Sequence, residues 1–425
     1  MRRIRVLHLI DILKGGGVEE WVKEISRLMP REKFEMKLCY LLESHQRVYI
    51  EELTSLGTKV TYIGLPKKIS KSILSSPTLS DNPFFRSIAR YGYIPYCLTL
   101  IKSLCRLAVK ERIEVIHTHL HYSFITGSIV GRFLNIPVIC QIPQMRSQTL
   151  KTASWSFLAY RLLKNCVSSF FTNISAEELI KYSGVSPEKI IYFKGVVDLN
   201  DIRPVKRDEN PLVKEFGLQG AFPILLSIGR FVPEKGHKYA IDVAERLKVH
   251  YPAMKLFILG EGWEMNTFRS LVCERGLSDT IILPGYRRDL NYFYSLTDIY
   301  LRTYLIEGGN LSNYAASAYG NPIVGFDTKA PTETIIDGHN GFLVPTKDVE
   351  KMVACLMELA SDEELRRRIG QANREFAFAN LDIMSTMRLF QSEYERLSLG
   401  RAPSYRKKKY RARPHDEKKP ATSIT

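Results

Sequence analysis

Short apolar runs alternate with longer amphipathic stretches along almost the whole chain. The short runs are apolar on both sides, as strands buried on both faces are. In the first half they predict strands over Arg5–Ile10, Met36–Tyr40, Val60–Ile63, Val115–His117, Val138–Gln141, Ser169–Thr172 and Ile190–Phe193. Helices are predicted between them, over Val18–Leu28, Pro95–Glu111, Phe124–Phe133 and Ala153–Lys164. The second half repeats the pattern, with strands at Ile224–Ile228, Leu256–Leu259, Thr280–Leu283, Asp298–Leu301 and Pro322–Val324. Its helices fall at Lys238–Val249, Met265–Arg275, Ser312–Ala318, Val349–Leu359 and Asp362–Arg374. Strand–helix alternation argues for parallel sheets covered on both faces. The polar stretch Asn200–Asn210, with Pro204 and Pro211, reads as a linker. The expected class is therefore α/β, with two doubly wound Rossmann-like domains facing a central cleft, where ligands of such folds bind. The domains are residues 1–200 and 201–383, followed by a helix at 384–398. Periodicity stops after that, and the basic segment 399–425 reads as a disordered tail.

Composition narrows the class. The 425 residues are 45% hydrophobic and 25% charged, which is ordinary for globular proteins. Seven cysteines, at 39, 97, 105, 140, 166, 273 and 355, include no CxxC pair. A disulfide framework or zinc site is not expected, and a reducing compartment is. No apolar run reaches the roughly 18 residues of a membrane helix. The start, Met1-Arg2-Arg3-Ile4-Arg5, leads into a strand with His8 and Asp11, not into an export signal. The expected location is the cytoplasm, with a peripheral seat on the inner membrane face as an option.

The net charge of +16 is uneven. Residues 1–200 hold 28 basic and 16 acidic side chains (+12), residues 201–400 hold 24 and 27 (−3), and residues 401–425 hold 9 and 2 (+7). Nucleic acid or an anionic membrane would each suit such a surface. No nucleic-acid-binding motif is present, which leaves the membrane as the candidate partner.

Three glycine-bearing segments carry candidate chemistry. Lys14-Gly15-Gly16-Gly17-Val18 lies between the first strand and the first helix, where backbone N–H groups can receive a phosphate. It lacks the GxGxxG spacing, so a nicotinamide cofactor is not expected. Gly229-Arg230-Phe231-Val232-Pro233-Glu234-Lys235-Gly236 follows the first strand of the second half. Arg230 offers a fork and Lys235 a point charge to a diphosphate. Glu307-Gly308-Gly309-Asn310-Leu311 precedes a helix, and Glu307 suits sugar hydroxyls. His117, His119 and His121 alternate at a strand end, with His119 as the active-site candidate and His117 packed inward.

The chain resembles glycosyltransferase family 4, of GT-B fold and retaining chemistry, over roughly residues 4–398. GRFVPEKG at 229–236 is close to that family's GRLxxEKG. Leu259-Gly260-Glu261-Gly262, Pro284-Gly285-Tyr286-Arg287-Arg288-Asp289, Lys194-Gly195-Val196-Val197-Asp198 with Pro204, and Asp337-Gly338-His339-Asn340-Gly341 follow in family order. The resemblance implies that Gly16 and Gly17 line the donor diphosphate and that Arg230 and Lys235 stabilise it as it leaves. Glu307 would hold the transferred sugar, with Gly308, Gly309, Asn310 and Leu311 beside it. Tyr286 and Arg287 would lie near the nucleobase, and His119 would line the reacting centre. The helix at 384–398 would cross back to the first domain.

One departure bears on activity. The family's second acidic residue, eight after the first, falls on Ala315 here. Its loss would cost about 1.5–3 kcal/mol of donor binding, unless Ser312 on the same helix face substitutes. The implied activity is metal-independent retaining transfer of a hexose from a UDP- or GDP-sugar, the chain using no cofactor. The acceptor would be a glycan or lipid-linked molecule of cell-surface polysaccharide or glycolipid synthesis. It would meet the first domain, whose insertion at 64–114 interleaves Lys67, Lys68 and Lys71 with aromatics. The alternative is a catalytically silent relative that binds a nucleotide or scaffolds a glycan-assembly complex; an epimerase of the same fold is a further one.

Overall fold

The computed structural model describes residues 2–13, 17–41, 47–64, 93–142, 155–172, 180, 183–305, 311–328 and 335–400. The first domain is built on strands β1 (Ile4–Ile10), β2 (Phe34–Tyr40), β3 (Lys59–Tyr62), β4 (Val115–Thr118), β5 (Val138–Gln141), β6 (Ser169–Thr172) and β7 (Ile190–Tyr192). They form one parallel sheet in the order β3-β2-β1-β4-β5-β6-β7. The chain winds outward from β1 to β3, crosses back, and winds the other way from β4. Right-handed crossovers then place the helices before the switch and those after it on opposite faces. Helices α1 (Gly17–Leu28) and α2 (Arg47–Ser55) cover one face, and α3 (Tyr93–Lys110), α4 (His121–Leu134) and α5 (Trp155–Leu163) the other.

The second domain carries α6 (Pro211–Glu215), β8 (Ile224–Ile228), α7 (His237–His250), β9 (Lys255–Leu259), α8 (Met265–Glu274), β10 (Ile281–Gly285) and α9 (Leu290–Leu296). It continues with β11 (Ile299–Arg302), α10 (Leu311–Tyr319), β12 (Ile323–Asp327), β13 (Gly341–Pro345), α11 (Val349–Ser361) and α12 (Glu363–Asn380). Its six parallel strands run β10-β9-β8-β11-β12-β13. Every strand expected from the apolar runs is present. The strand β13 and the short helices α2, α6 and α9 are additions, each too brief to show a period in the sequence.

The last helix, α13 (Ile383–Ser398), belongs to the first domain's core. Asp382 caps it, accepting from Met384 N at 3.0 Å. Ile383 N donates to Val197 O at 2.8 Å, stitching the returning chain beside the end of the first domain. Met387, Phe390 and Tyr394 are fully buried against Trp21, Ile25, Phe171 and Phe193. Each such side chain contributes about 1.5–3 kcal/mol by leaving water. No described helix is long and apolar enough to cross a membrane.

Candidate active site

Strand order reverses between β1 and β4 in the first sheet and between β8 and β11 in the second. Loops leaving the carboxyl ends of two such strands part to opposite faces and open a crevice between them. Apart from Tyr286 and Arg287, which follow β10, the described candidate residues fall on these four loops. Gly17 opens α1 after β1, and His119 follows β4. Arg230 and Lys235 follow β8, and Leu311 opens α10 after β11.

The loop after β8 is held by backbone fit. Gly236 has φ +62° and ends the Pro233–Lys235 turn, and a Cβ there would lie 2.1 Å from Thr303 O. Thr303 Oγ1 donates to Lys235 O at 3.1 Å, and Leu305 N to Glu234 O at 3.0 Å. Gly260 lies so close beneath that a Cβ would sit 2.1 Å from Gly229 O. Phe231 N donates to Glu261 O at 2.9 Å. The Gly260-Glu261-Gly262 segment therefore supports the basic loop from behind. His237 completes the support: it is buried, its Nε2 donates to Gly229 O at 3.2 Å, and its ring packs on Phe231. Burial pushes its pKa down to about 4, so it is neutral at pH 7.

The side chains make this end of the sheet electropositive. Arg230 is exposed, and no described carboxylate pairs with it. Lys235 Nζ lies 3.7 Å from the centre of the Tyr304 ring. Arg302, the last residue of β11, is fully buried, donates to Phe326 O at 3.0 Å and lies 5.6 Å from the same ring. Sequence reasoning missed Arg302 and His237, although His237 directly follows the basic motif. Ser312 is engaged within the domain: its Oγ is 3.0 Å from Tyr304 Oη and 3.5 Å from Ile228 O. The Ser312 hydroxyl, expected to substitute in part for the missing carboxylate, thus has neighbours within its own domain. Ala315 packs against the apolar cluster around Phe293 and Leu226.

His119 lies in a buried group. His8 and His117 are register partners on β1 and β4, and His119 stands two residues on. His8 Nδ1 and His119 Nε2 are 2.7 Å apart, and His117 Nδ1 is 2.6 Å from Tyr394 Oη. All three rings are at most 1% exposed. Burial pushes His119 down to about 3 and holds His8 and His117 well below their ordinary range. One ring nitrogen from each lies within 4.8 Å of the others, the one group of three possible metal ligands among the described residues. Two of the three rings already share a hydrogen bond. Behind the group, Asp11 accepts from Ser123 N (2.6 Å) and Tyr122 N (3.1 Å), pinning the loop after β1 to the start of α4.

The loop after β10 splits its residues. Arg287 is clamped, with Nη1 and Nη2 on Glu215 at 2.6 and 3.0 Å and further bonds to Asp289. Its guanidinium also lies over Phe293 at 5.3 Å. Tyr286 is 54% exposed. Arg288 reaches the first domain, pairing with Glu52 of α2 at 3.0 Å. Glu307, Gly308, Gly309, Asn310 and Gly16 lie outside the described residues, as do residues 65–92 of the insertion and the tail from 401.

Residues 208–376 match the family model "Glycosyl transferases group 1". An Escherichia coli protein, UDP-Gal:alpha-D-GlcNAc-diphosphoundecaprenol alpha-1,3-galactosyltransferase, is 24% identical over 78% of this chain and 88% of its own. N-acetyl-alpha-D-glucosaminyl L-malate synthase of Bacillus anthracis is 22% identical over 77% and 86%. Among solved structures, HepE of Anabaena with UDP and glucose superposes with a TM-score of 0.73 at 16% identity, covering 92% of this chain and all of that one. The group 1 match over its second sheet, such relatives over most of its length, and two parallel-sheet domains of this kind make the chain a GT-B glycosyltransferase.

Proposed function

We propose that the chain is a retaining glycosyltransferase that moves a hexose from a UDP- or GDP-sugar to a glycan or lipid-linked acceptor in cell-surface polysaccharide or glycolipid synthesis. The observation that carries this reading is the pair Arg230 and Lys235, held at the switch point of the second sheet by Gly236, Gly260 and His237. Two preorganised cations suit the charge that grows on a departing diphosphate. In the proposed step the acceptor oxygen bonds to the anomeric carbon on the face the diphosphate leaves. The carbon–oxygen bond to the diphosphate breaks, and a leaving phosphate oxygen takes the acceptor's proton. With two cations on this backbone-held loop, the proposed step needs no divalent metal. The first domain contributes His119, which is neutral and so offers the sugar a hydrogen bond, not a positive charge.

The relatives' names support the substrate class: one is named for a UDP-sugar and a diphosphoundecaprenol-linked acceptor, and HepE was solved with UDP and glucose. The test is nucleoside diphosphate release from a panel of UDP- and GDP-sugars. The best donor should turn over with the wild type and slow about 10²–10³-fold with Arg230→Ala or Lys235→Ala. Unchanged rates in both variants would sink the assignment. A second reading, a binding-only relative, is favoured by one observation: Ser312 is already bonded and leaves Ala315 uncompensated. Nucleotide binding with neither transfer nor donor hydrolysis would select it.

A further inference from the structure

Among the described residues, the helices on the two faces of the first sheet differ in charge. α3, α4 and α5, with 18, 14 and 9 residues, contain no Asp or Glu. They carry five cations, Lys102, Arg106, Lys110, Arg132 and Arg161, all exposed. On the other face, α1, α2 and α13 hold three, two and two acidic residues against five basic ones in all. Helix dipoles account for part of this, since Lys110, Arg132 and Arg161 lie in last turns, where cations are favoured. They do not account for Lys102 and Arg106. These two lie inside α3 and line up with Lys110 at four-residue spacing, and like charges at that spacing destabilise a helix standing alone.

Large apolar side chains accompany the cations. Leu98 begins the same stripe of α3, and Val109, Phe133 and Leu162 each adjoin one of the cations in sequence. All four are at least 59% exposed. A soluble polyanion would attract the cations but leave these groups in water. A bilayer receives both, with headgroup phosphates meeting Lys and Arg and the apolar side chains entering the acyl boundary. We propose that the face made by α3, α4 and α5 is a docking surface for an anionic lipid bilayer. This surface is independent of the glycosyl-transfer reading.

The test is flotation of the full chain with vesicles of phosphatidylcholine alone or mixed with phosphatidylglycerol, at low and high salt. The wild type should float with the anionic vesicles and not with the neutral ones. The K102E/R106E/K110E variant should bind about a hundredfold more weakly or worse, at about 1 kcal/mol per cation. K206E/K214E/R269E makes the same charge change on the second domain and should float like the wild type. V109S/F133S/L162S should keep the low-salt binding and lose whatever survives high salt. Thermal melts establish that each variant is folded, as all nine side chains are exposed. Equal loss in both charge variants, normal flotation of K102E/R106E/K110E, or a wild type indifferent to lipid charge would overturn the proposal. Undiminished high-salt binding of V109S/F133S/L162S would overturn the bilayer as occupant. Because the readout is lipid binding, an inactive enzyme that floats as described leaves this inference standing.

Discussion

Arg230 and Lys235 stand on a loop whose shape depends on atoms behind it. Gly260 is the tightest of these supports, because a methyl group there would overlap Gly229 O at 2.1 Å and the neighbouring residues are backbone. Gly260→Ala should therefore destabilise the second domain by about 2 kcal/mol or more, read as a lower urea midpoint. The Glu-x7-Glu departure can be tested at its own position. Ala315→Glu should tighten donor binding about tenfold if the carboxylate is what the site lacks. Calorimetric titration with the best donor checks this, and no change would point to a donor held by other means. Arg287, a motif arginine next to the exposed Tyr286, is held by Glu215 and Asp289.

Among the elements, α13 couples the two halves of the chain. It starts where the second domain ends and fills the first domain's core with Met387, Phe390 and Tyr394. Phe390→Ala should cost about 3–5 kcal/mol, measured as the loss of first-domain stability in denaturant. Tyr394→Phe removes only the oxygen that meets His117 Nδ1. It should cost about 1–3 kcal/mol, the price of a buried polar group left unpaired.

For the whole molecule, acid stability follows from the buried histidines. His8, His117, His119 and His237 are held neutral by burial, with His119 at about 3 and His237 at about 4 against an ordinary 6.5. Below pH 6.5 the unfolded chain binds protons there that the native chain refuses, so stability falls with pH. Asp11 works the other way. Burial raises it to about 6 from 3.8, so between those values the native chain holds a proton that the unfolded chain has lost. His121 is lowered by burial too, while Asp298 and Glu264 are raised like Asp11; the five lowered histidines outnumber the three raised carboxyls, and the urea midpoint should fall from pH 6.5 to 4.5, a flat profile contradicting the neutral cluster. Across the cleft, Arg288 and Glu52 form a pair 61% and 28% exposed, which water and salt screen. A double-mutant cycle on closure should find a coupling below about 1 kcal/mol, consistent with a cleft free to open and close.

The pattern of apolar runs determined the two parallel sheets and the loops at their strand ends, because strands buried on both faces leave a local signature. Motif order along the chain likewise placed Arg230 and Lys235, whose loop lies next to its own strand. Tertiary structure alone decided what lies far apart in sequence. It joined His8 to His119, His117 to Tyr394, and α13 to the first sheet. It set Arg302 beside Lys235, committed Ser312 to Tyr304, and gathered the acid-free helices on one face. These depend on crossover handedness and on packing between segments up to hundreds of residues apart, which no local period records.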